Sequence, residues 1–263
     1  MKDINPLAIV EVALKASNIV MKCYNKEQFE TKRKIDNSYV TSADIASSKS
    51  IISGLNKLHP DTPVVSEEND EAVNADIVRN SKKFWLIDPI DGTWSFVNRS
   101  GDFVINIALI DDGKPIFGVI SAPLVKSTYY NDNAGKVYKL ERNNLTEVRP
   151  NRQFNDGGYD FLISDINMNQ RTQDFVASHQ VKTLTPVPSA YKFALMVEGK
   201  GDIYPRFKPT YIWDTAAGHA LLLATGGEIY DATAYKPLVY NGNLKNPNFV
   251  ATVDTKIKLV MGR

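Results

Sequence analysis

A succession of short apolar runs, each closed by turn-forming residues, constrains this chain most. They are Val64-Val65 and the stretches 84–87, 103–110, 116–120 and 128–130. Runs of about four to eight branched and aromatic residues bounded by Gly, Pro, Asn and Asp read as strands. Asp111-Asp112-Gly113-Lys114 separates two of them, and Asp-Gly supplies the left-handed backbone that a tight hairpin needs. A largely antiparallel sheet is therefore expected, preceded by two helices. The first starts with Asn5 as cap and Pro6 in its first turn, and runs to Tyr24 with Leu7, Val10, Leu14 and Met21 on its packed face. Cys23, near its end, is read as a packed side chain. The second starts at Thr41 or Ser42, passes through Ile45, Ile52 and Leu55, and ends at His59-Pro60, because the residue before proline avoids helical geometry.

Further on the pattern changes. The polar stretch from Glu141-Arg142-Asn143-Asn144 to Asn151-Arg152 predicts a boundary. It divides an N-terminal α+β half, residues 1–145, from a C-terminal α/β half, residues 146–263. In the second half, strand-like Phe161-Leu162-Ile163 and Ile203-Tyr204 alternate with helical stretches at 170–178, 189–198 and 214–225, the last closed by Gly226-Gly227.

Composition excludes several classes of function. Thirty-one basic and thirty acidic residues, interspersed, leave a formal charge of +1. That balance argues against a nucleic-acid polymer as partner. The single cysteine rules out an internal disulfide. No apolar run reaches the roughly 18–20 residues that span a bilayer, and Glu11 and Lys15 interrupt the apolar start that a signal peptide would need. A soluble cytoplasmic protein is expected, as a monomer or a homodimer.

The chemistry-bearing residues are acidic and stand at element ends. Glu67 and Glu68 follow one strand, and Asp88 and Asp91 follow the next in Trp85-Leu86-Ile87-Asp88-Pro89-Ile90-Asp91-Gly92-Thr93. Asp214 opens the last helix, and Asp44 lies in the first turn of the second. Hard divalent cations take oxygen ligands, and magnesium keeps several waters besides. Asp88 and Asp91 stand three apart across Pro89, so both carboxylates and the Ile90 carbonyl can address one point. Gly92 lets the backbone approach a ligand, and a helix starting at Thr93 would turn free N–H groups toward an anion. The combination suits metal-assisted hydrolysis of a phosphate ester. Taken singly, such motifs are more often turns, caps and solvated loops, and spacing alone does not bring the four places together. His59, His179 and His219 lack zinc-ligand spacing, and no phosphate-loop motif is present. Trp85 and Trp213 adjoin the acidic motifs as packing residues.

With these motifs in view, the chain resembles the inositol-monophosphatase superfamily of magnesium-dependent, lithium-sensitive phosphatases. The likeness rests on Val40-Thr41-Ser42-Ala43-Asp44, on Val65-Ser66-Glu67-Glu68, on the run 85–93 followed by Phe96, and on Trp213-Asp214-Thr215-Ala216-Ala217-Gly218. Within that superfamily it is most similar to the bacterial 3′(2′),5′-bisphosphate nucleotidases. The supporting stretches are Asp36-Asn37-Ser38, 106–111, Gly113-Lys114-Pro115, Tyr204-Pro205-Arg206-Phe207, 212–220, Lys236-Pro237-Leu238 and Asn246-Pro247.

The resemblance implies a layered αβαβα sandwich of mixed α+β and α/β character. It implies that Glu67, Asp88 and the Ile90 carbonyl hold one Mg2+, and that Asp88, Asp91 and Asp214 hold a second. A third, weaker ion would lie near Glu67, held mostly through water. Asp44 and Thr93 would form the catalytic pair, with Glu68 in the same set. Substrate contacts would fall to Glu67, Ile90, Asp91, Gly92, Thr93, Ser189, Lys192, Arg206 and Asp214. The implied substrate is a small phosphate ester, 3′-phosphoadenosine 5′-phosphate, cleaved to AMP and phosphate, with its sulfated form as a further candidate. An inositol or sugar monophosphatase with the same metals is the alternative, because three places depart from the nucleotidase pattern. Trp94-Ser95 replaces Lys-Glu, Ser164-Asp165-Ile166-Asn167 replaces Ser-Arg-Ser-His, and Pro188 replaces a glycine. A nucleotide binder without turnover is a third reading, against which the complete acidic set speaks.

Overall fold

The computed structural model describes residues 4–26, 31–33, 39–101, 103–149 and 157–260. Residues 1–3, the Asp36-Asn37-Ser38 motif and the Asn151-Arg152 end of the expected boundary lie outside them. Helix α1 (Pro6–Tyr24) starts as expected, with the Asn5 side chain accepting from the Ala8 amide. A ribbon of β1 (Thr31–Arg33) and β2 (Tyr39–Thr41) leads into α2 (Ser42–Leu58), whose capping box joins Thr41 and Asp44. Val10 and Leu55 are buried as expected and Leu14, Met21 and Ile52 are partly buried, but other residues make up most of the packed faces. In α1 the buried residues are Ile9, Val10, Ala13, Ala16, Ser17 and Val20, with Leu7 in solvent, and in α2 Ile45 is exposed while Ala43, Ser47, Ser48, Ile51 and Leu55 are buried. Small side chains share these stripes with Ile9, Ile51 and Leu55, and Leu7 and Ile45 fall outside them.

The expected sheet has seven strands. They are β3 (Val64–Ser66), β4 (Lys83–Asp91), β5 (Val104–Asp111), β6 (Lys114–Ala122), β7 (Ser127–Asn131), β8 (Val137–Glu141) and β9 (Asn144–Val148), lying in that order. Only β3 and β4 run parallel, joined across α3 (Glu71–Asn80). No apolar period marks α3, because Asn74 and Val78 alone are buried along it. The predicted Asp111–Lys114 hairpin is present, with Asp112 and Gly113 both at positive φ. Glu141-Arg142-Asn143-Asn144 is a second tight hairpin turn, Arg142 and Asn143 taking φ of 48° and 77°. Strand β9 therefore runs on to Val148.

After α4 (Thr93–Asn98) in the first half, the second half contributes β10 (Tyr159–Ile163), α5 (Gln170–Ala177), β11 (Val181–Pro186), α6 (Tyr191–Val197) and β12 (Ile203–Arg206). A 3-10 turn (Ile212–Asp214), α7 (Ala216–Ala224), β13 (Glu228–Asp231) and β14 (Phe249–Thr252) complete it. These strands form a five-stranded sheet in the order β11-β10-β12-β14-β13, parallel among the first three and antiparallel beyond. Asp214 thus ends a 3-10 turn rather than opening a long helix. Past Thr225, Gly226 and Gly227 return their amides to Leu223 and Leu222, closing α7 as the paired glycines predict.

Alternation along the strands stacks the layers. Trp85, Ile87, Ile105 and Ile107 pack with α1 and α2, whereas Phe84, Leu86, Val104 and Ala108 face the opposite way, toward α6 and α7. In the second sheet Phe193 of α6 meets Tyr204 on one face, and Phe175 of α5 meets Phe161 on the other. The result is the αβαβα sandwich. No helix among the described residues is long and apolar enough to cross a membrane.

Helix α7, which follows Asp214 directly, lies flat on β6 at Gly118, where an added Cβ would overlap the Ala217 carbonyl. Gly118→Ala should cost about 1–3 kcal/mol of stability through overpacking. Gly242→Ala, with nothing within 4 Å, should stay within about 0.5 kcal/mol. Urea unfolding of the two variants measures the difference, and equal midpoints would contradict this packing.

Candidate active site and metal centre

Strand β4 would ordinarily send residues three apart to opposite faces of the sheet. Opposite β5, however, it passes from Asp88 to Asp91 while its partner passes only from Asn106 to Val104. The one-residue bulge falls at Pro89-Ile90, where proline's missing amide costs no ladder bond. Both carboxylates consequently face α6 and α7. The Ile90 amide donates to Asp88 Oδ1 at 3.0 Å. Gly92 then takes φ of 93°, a left-handed conformation natural to glycine, and α4 begins at Thr93.

The other acidic residues arrive from three directions. Asp214 is fixed by its turn, its Oδ2 accepting from the Tyr211 amide at 2.8 Å. Oxygens of Asp88, Asp91 and Asp214 all lie within 4.8 Å of one another. Glu67, at the end of β3, hydrogen-bonds to Asp88. Asp44 Oδ2 accepts from the Thr41 hydroxyl and amide at 2.5 and 2.8 Å, which leaves Oδ1 for the Thr93 hydroxyl at 3.2 Å. That hydroxyl also lies 3.0 Å from the Ile90 carbonyl. Glu68 stands close enough to act on Asp44 electrostatically.

Burial and crowding govern the charges. Asp88 is held well above the usual carboxylate range by burial, then by Glu67, Asp91 and Asp214. Asp214 is raised by burial and by Asp91, and Asp91 by burial, against the lowering effect of its bond from the Ala190 amide. Burial pushes Asp44 up to about 6, opposed by the bonds from Thr41. Several dry carboxylates around one point, with a main-chain carbonyl beside them, form a donor set suited to a hard divalent cation.

On the side away from Glu67 a pocket of about 110 Å3 opens, lined by Asp91, Asp214, Ser189, Lys192, Tyr204 and Arg206 among others. Ser189 takes φ of 55°. Lys192 is buried, donates to the Val187 and Ser189 carbonyls at 2.9 and 2.6 Å, and is lowered to about 7, burial outweighing Asp91 and Asp214. Arg206 Nε is buried, and no described group accepts from it. Ser95 lies on the buried face of α4, so of the Trp94-Ser95 pair only the indole, 61% exposed, faces solvent. Sequence reasoning missed Asn106, fully buried opposite Asp88 and beside Asp91. Its signal was a lone amide inside the apolar run 103–110. Trp85 and Trp213 pack as expected, and Trp213 stacks on Tyr211 at 4.7 Å. Among the histidines, buried His219 is occupied by Glu228 and Tyr240, and His179 accepts from the Val260 amide.

Known proteins resemble this chain along nearly its whole length. The profile of the inositol monophosphatase family matches residues 4–256. The chain belongs to that family. Its metal-dependent chemistry is matched here by the acidic cluster. Among curated relatives, the 3′(2′),5′-bisphosphate nucleotidase CysQ of Salmonella typhimurium is 38% identical over 249 residues, covering 93% of this chain and 98% of its own. The enzyme of the same name from Buchnera aphidicola is 36% identical over 225 residues, covering 84% and 82%. The crystal structure of CysQ from Bacteroides thetaiotaomicron superposes with a TM-score of 0.77 at 33% identity, over 96% and 97% of the two chains. A staphylococcal inositol monophosphatase bound to inositol monophosphate shares the fold, with a TM-score of 0.71 at 19% identity.

Carboxyls held above their unfolded values take up protons in the folded state, so the metal-free protein gains stability as pH falls through that range. Between about pH 7 and pH 5 the melting temperature in chelator should therefore climb. Millimolar Mg2+ at neutral pH should raise it and flatten that slope, because an ion bound only by the native state stabilises it. Melting curves with and without Mg2+ test this, and identical slopes would mean that the carboxylates are not the metal's ligands.

Proposed function

We propose that this chain is a Mg2+-dependent phosphatase that removes the 3′-phosphate of 3′-phosphoadenosine 5′-phosphate, leaving AMP and inorganic phosphate. One observation carries the reading: Asp91 and Asp214, which cluster with Asp88, line a pocket that Lys192 and Arg206 also line. A cation site next to an anion site suits a substrate with two phosphates. The names of the nucleotidase relatives support it. In this reading the 1–145 half brings most of the carboxylates, and the 146–263 half brings Asp214 and the basic wall.

Glu67, Asp88 and the Ile90 carbonyl would hold one Mg2+, and Asp88, Asp91 and Asp214 a second, with a third near Glu67 through water. When bound, the ions neutralise the charge on the phosphoryl group and on the departing oxygen. The chain's own groups do the positioning. Asp44 accepts the Thr93 hydroxyl's hydrogen bond, which turns a hydroxyl lone pair toward the attacking water, and Glu68 belongs to the same set. As the water oxygen bonds to phosphorus, the bond from phosphorus to the ribose 3′ oxygen breaks. The water keeps one proton as part of the released phosphate, and its other proton ends on the ribose oxygen, which leaves as a hydroxyl. Gly92 and Thr93 face the reacting phosphate, while Ser189, Lys192 and Arg206 face the other phosphate.

Trp94, exposed where the nucleotidases carry lysine, favours a second reading as an inositol or sugar monophosphatase. Phosphate release from 3′-phosphoadenosine 5′-phosphate, inositol 1-phosphate and fructose 1,6-bisphosphate at equal concentrations separates the two. The nucleotide should be cleaved fastest, and a preference for either of the others would assign the pocket to that class. Asp91→Asn should lower kcat roughly a thousandfold, the equivalent of about 4 kcal/mol of lost charge stabilisation. Circular dichroism should show the fold retained, and full activity would remove Asp91 from the metal set. Li+ should inhibit at fixed Mg2+.

A further inference from the structure

We propose a second binding site, for a small organic anion with an apolar body, on the face of the seven-stranded sheet turned away from the carboxylates. A cavity of about 420 Å3 lies there between the second half of α1 and strands β6 to β8. That size falls within the range of small-molecule sites, about 300–1,000 Å3. Leu14, Met21 and Leu140 give it apolar walls, and Lys126 and Arg142 stand at its mouth. Its floor is closed by Ser121, whose hydroxyl is already bonded to Ser17 and Thr128 at 2.9 and 2.8 Å.

The charge pattern identifies the occupant. No acidic residue lines the cavity. Glu141, beside Arg142 in sequence, is engaged by the Ser127 hydroxyl at 3.0 Å and by Lys139 at 3.1 Å. Among the described residues, neither Lys126 nor Arg142 has a side-chain hydrogen bond or an ion pair. Two tight turns nevertheless hold them together. Both residues sit at positive φ, 54° and 48°, and the Arg142 amide donates to the Lys126 carbonyl at 3.4 Å. Two unpaired cations beside an apolar hollow match a phosphate, sulfonate or carboxylate head on a flat hydrophobic body, the guanidinium supplying a two-pronged contact.

The site is separate from the reaction centre. Ser121 pairs across the ladder with Ile105, which points into the α1 and α2 layer, whereas Asn106 and Asp88 share the opposite face. An occupant of the cavity touches none of the carboxylates.

Titration of the full-length protein with 8-anilinonaphthalene-1-sulfonate, an aromatic sulfonate, followed by fluorescence and calorimetry, tests the assignment. One equivalent should bind. The double variant Lys126→Glu, Arg142→Glu should weaken binding about tenfold or more. Asn18→Trp, an exposed position on the rim, should abolish binding by filling the cavity. Both variants should keep the parent's melting temperature and its rate of phosphate release. Absence of stoichiometric binding, or binding unchanged by both variants, overturns the proposal.

Discussion

Between Asp88 and Asp91, strand β4 takes three steps while β5 takes two, and the reaction centre follows from that mismatch. Regular pleating would put one carboxylate among the α1 and α2 side chains and the other toward α6 and α7. The bulge turns both the same way, at the layer where the halves meet. Asp214 and Ala190 come from the second half, and the Ala190 amide donates to Asp91, so the centre is complete only when the two sheets are stacked. The short strand β3, added parallel to β4, brings Glu67 to the same edge.

Such crowding opposes folding when no cation is present. Buried carboxylates repel one another and lose hydration, which is why Asp88 and Asp214 lie well above the ordinary range. The scaffold tolerates this because β4 and β5 are packed on both faces, with Trp85 and Ile87 in one core and Phe84 and Leu86 in the other. Stability stored in those apolar layers holds the polar ends of the strands in place. The same rigidity fixes Asp44, whose two oxygens are divided between capping α2 and orienting Thr93.

Much of this was legible in the residues. The apolar strand runs, the Asp111–Lys114 hairpin and the caps of α1, α2 and α7 follow from local physics, since each depends on a few neighbouring residues. The polar stretch 141–144, by contrast, reads as a boundary and is a hairpin turn between β8 and β9. Elements that owe their form to tertiary surroundings were not legible. Helix α3 has almost no buried face, and β11 is exposed throughout and joins the sheet only by pairing with β10. Of the α1 face expected from the sequence, Val10, Leu14 and Met21 do pack and Leu7 does not, while Ala13, Ala16 and Ser17, which carry no strong apolar signal, are buried against the neighbouring elements. Asp214 looked like a helix cap, yet its carboxylate closes on the Tyr211 amide within a 3-10 turn. Asn106 escaped notice because its partners are brought to it by strand register, which no local pattern encodes. The acidic motifs were each visible, but only a likeness spanning the chain joined them before the sheets were seen.

The departures from the nucleotidase pattern weigh less once placed. Ser95 is on the buried face of α4 and cannot reach a substrate. Asp165 is exposed, and its Oδ1 is taken up by the Asn167 amide. Pro188 packs near Gly101, ahead of the left-handed turn at Ser189. None of the three displaces Ser189, Lys192 or Arg206 from the pocket wall. Trp94 alone puts a new surface beside Thr93, and an indole adds apolar area without removing the cations that would meet a second phosphate. That basic wall, next to the carboxylate cluster, weights the balance toward the doubly phosphorylated nucleotide. An uncharged polyol leaving group would leave Arg206 Nε, buried and without an acceptor among the described residues, with nothing to bind.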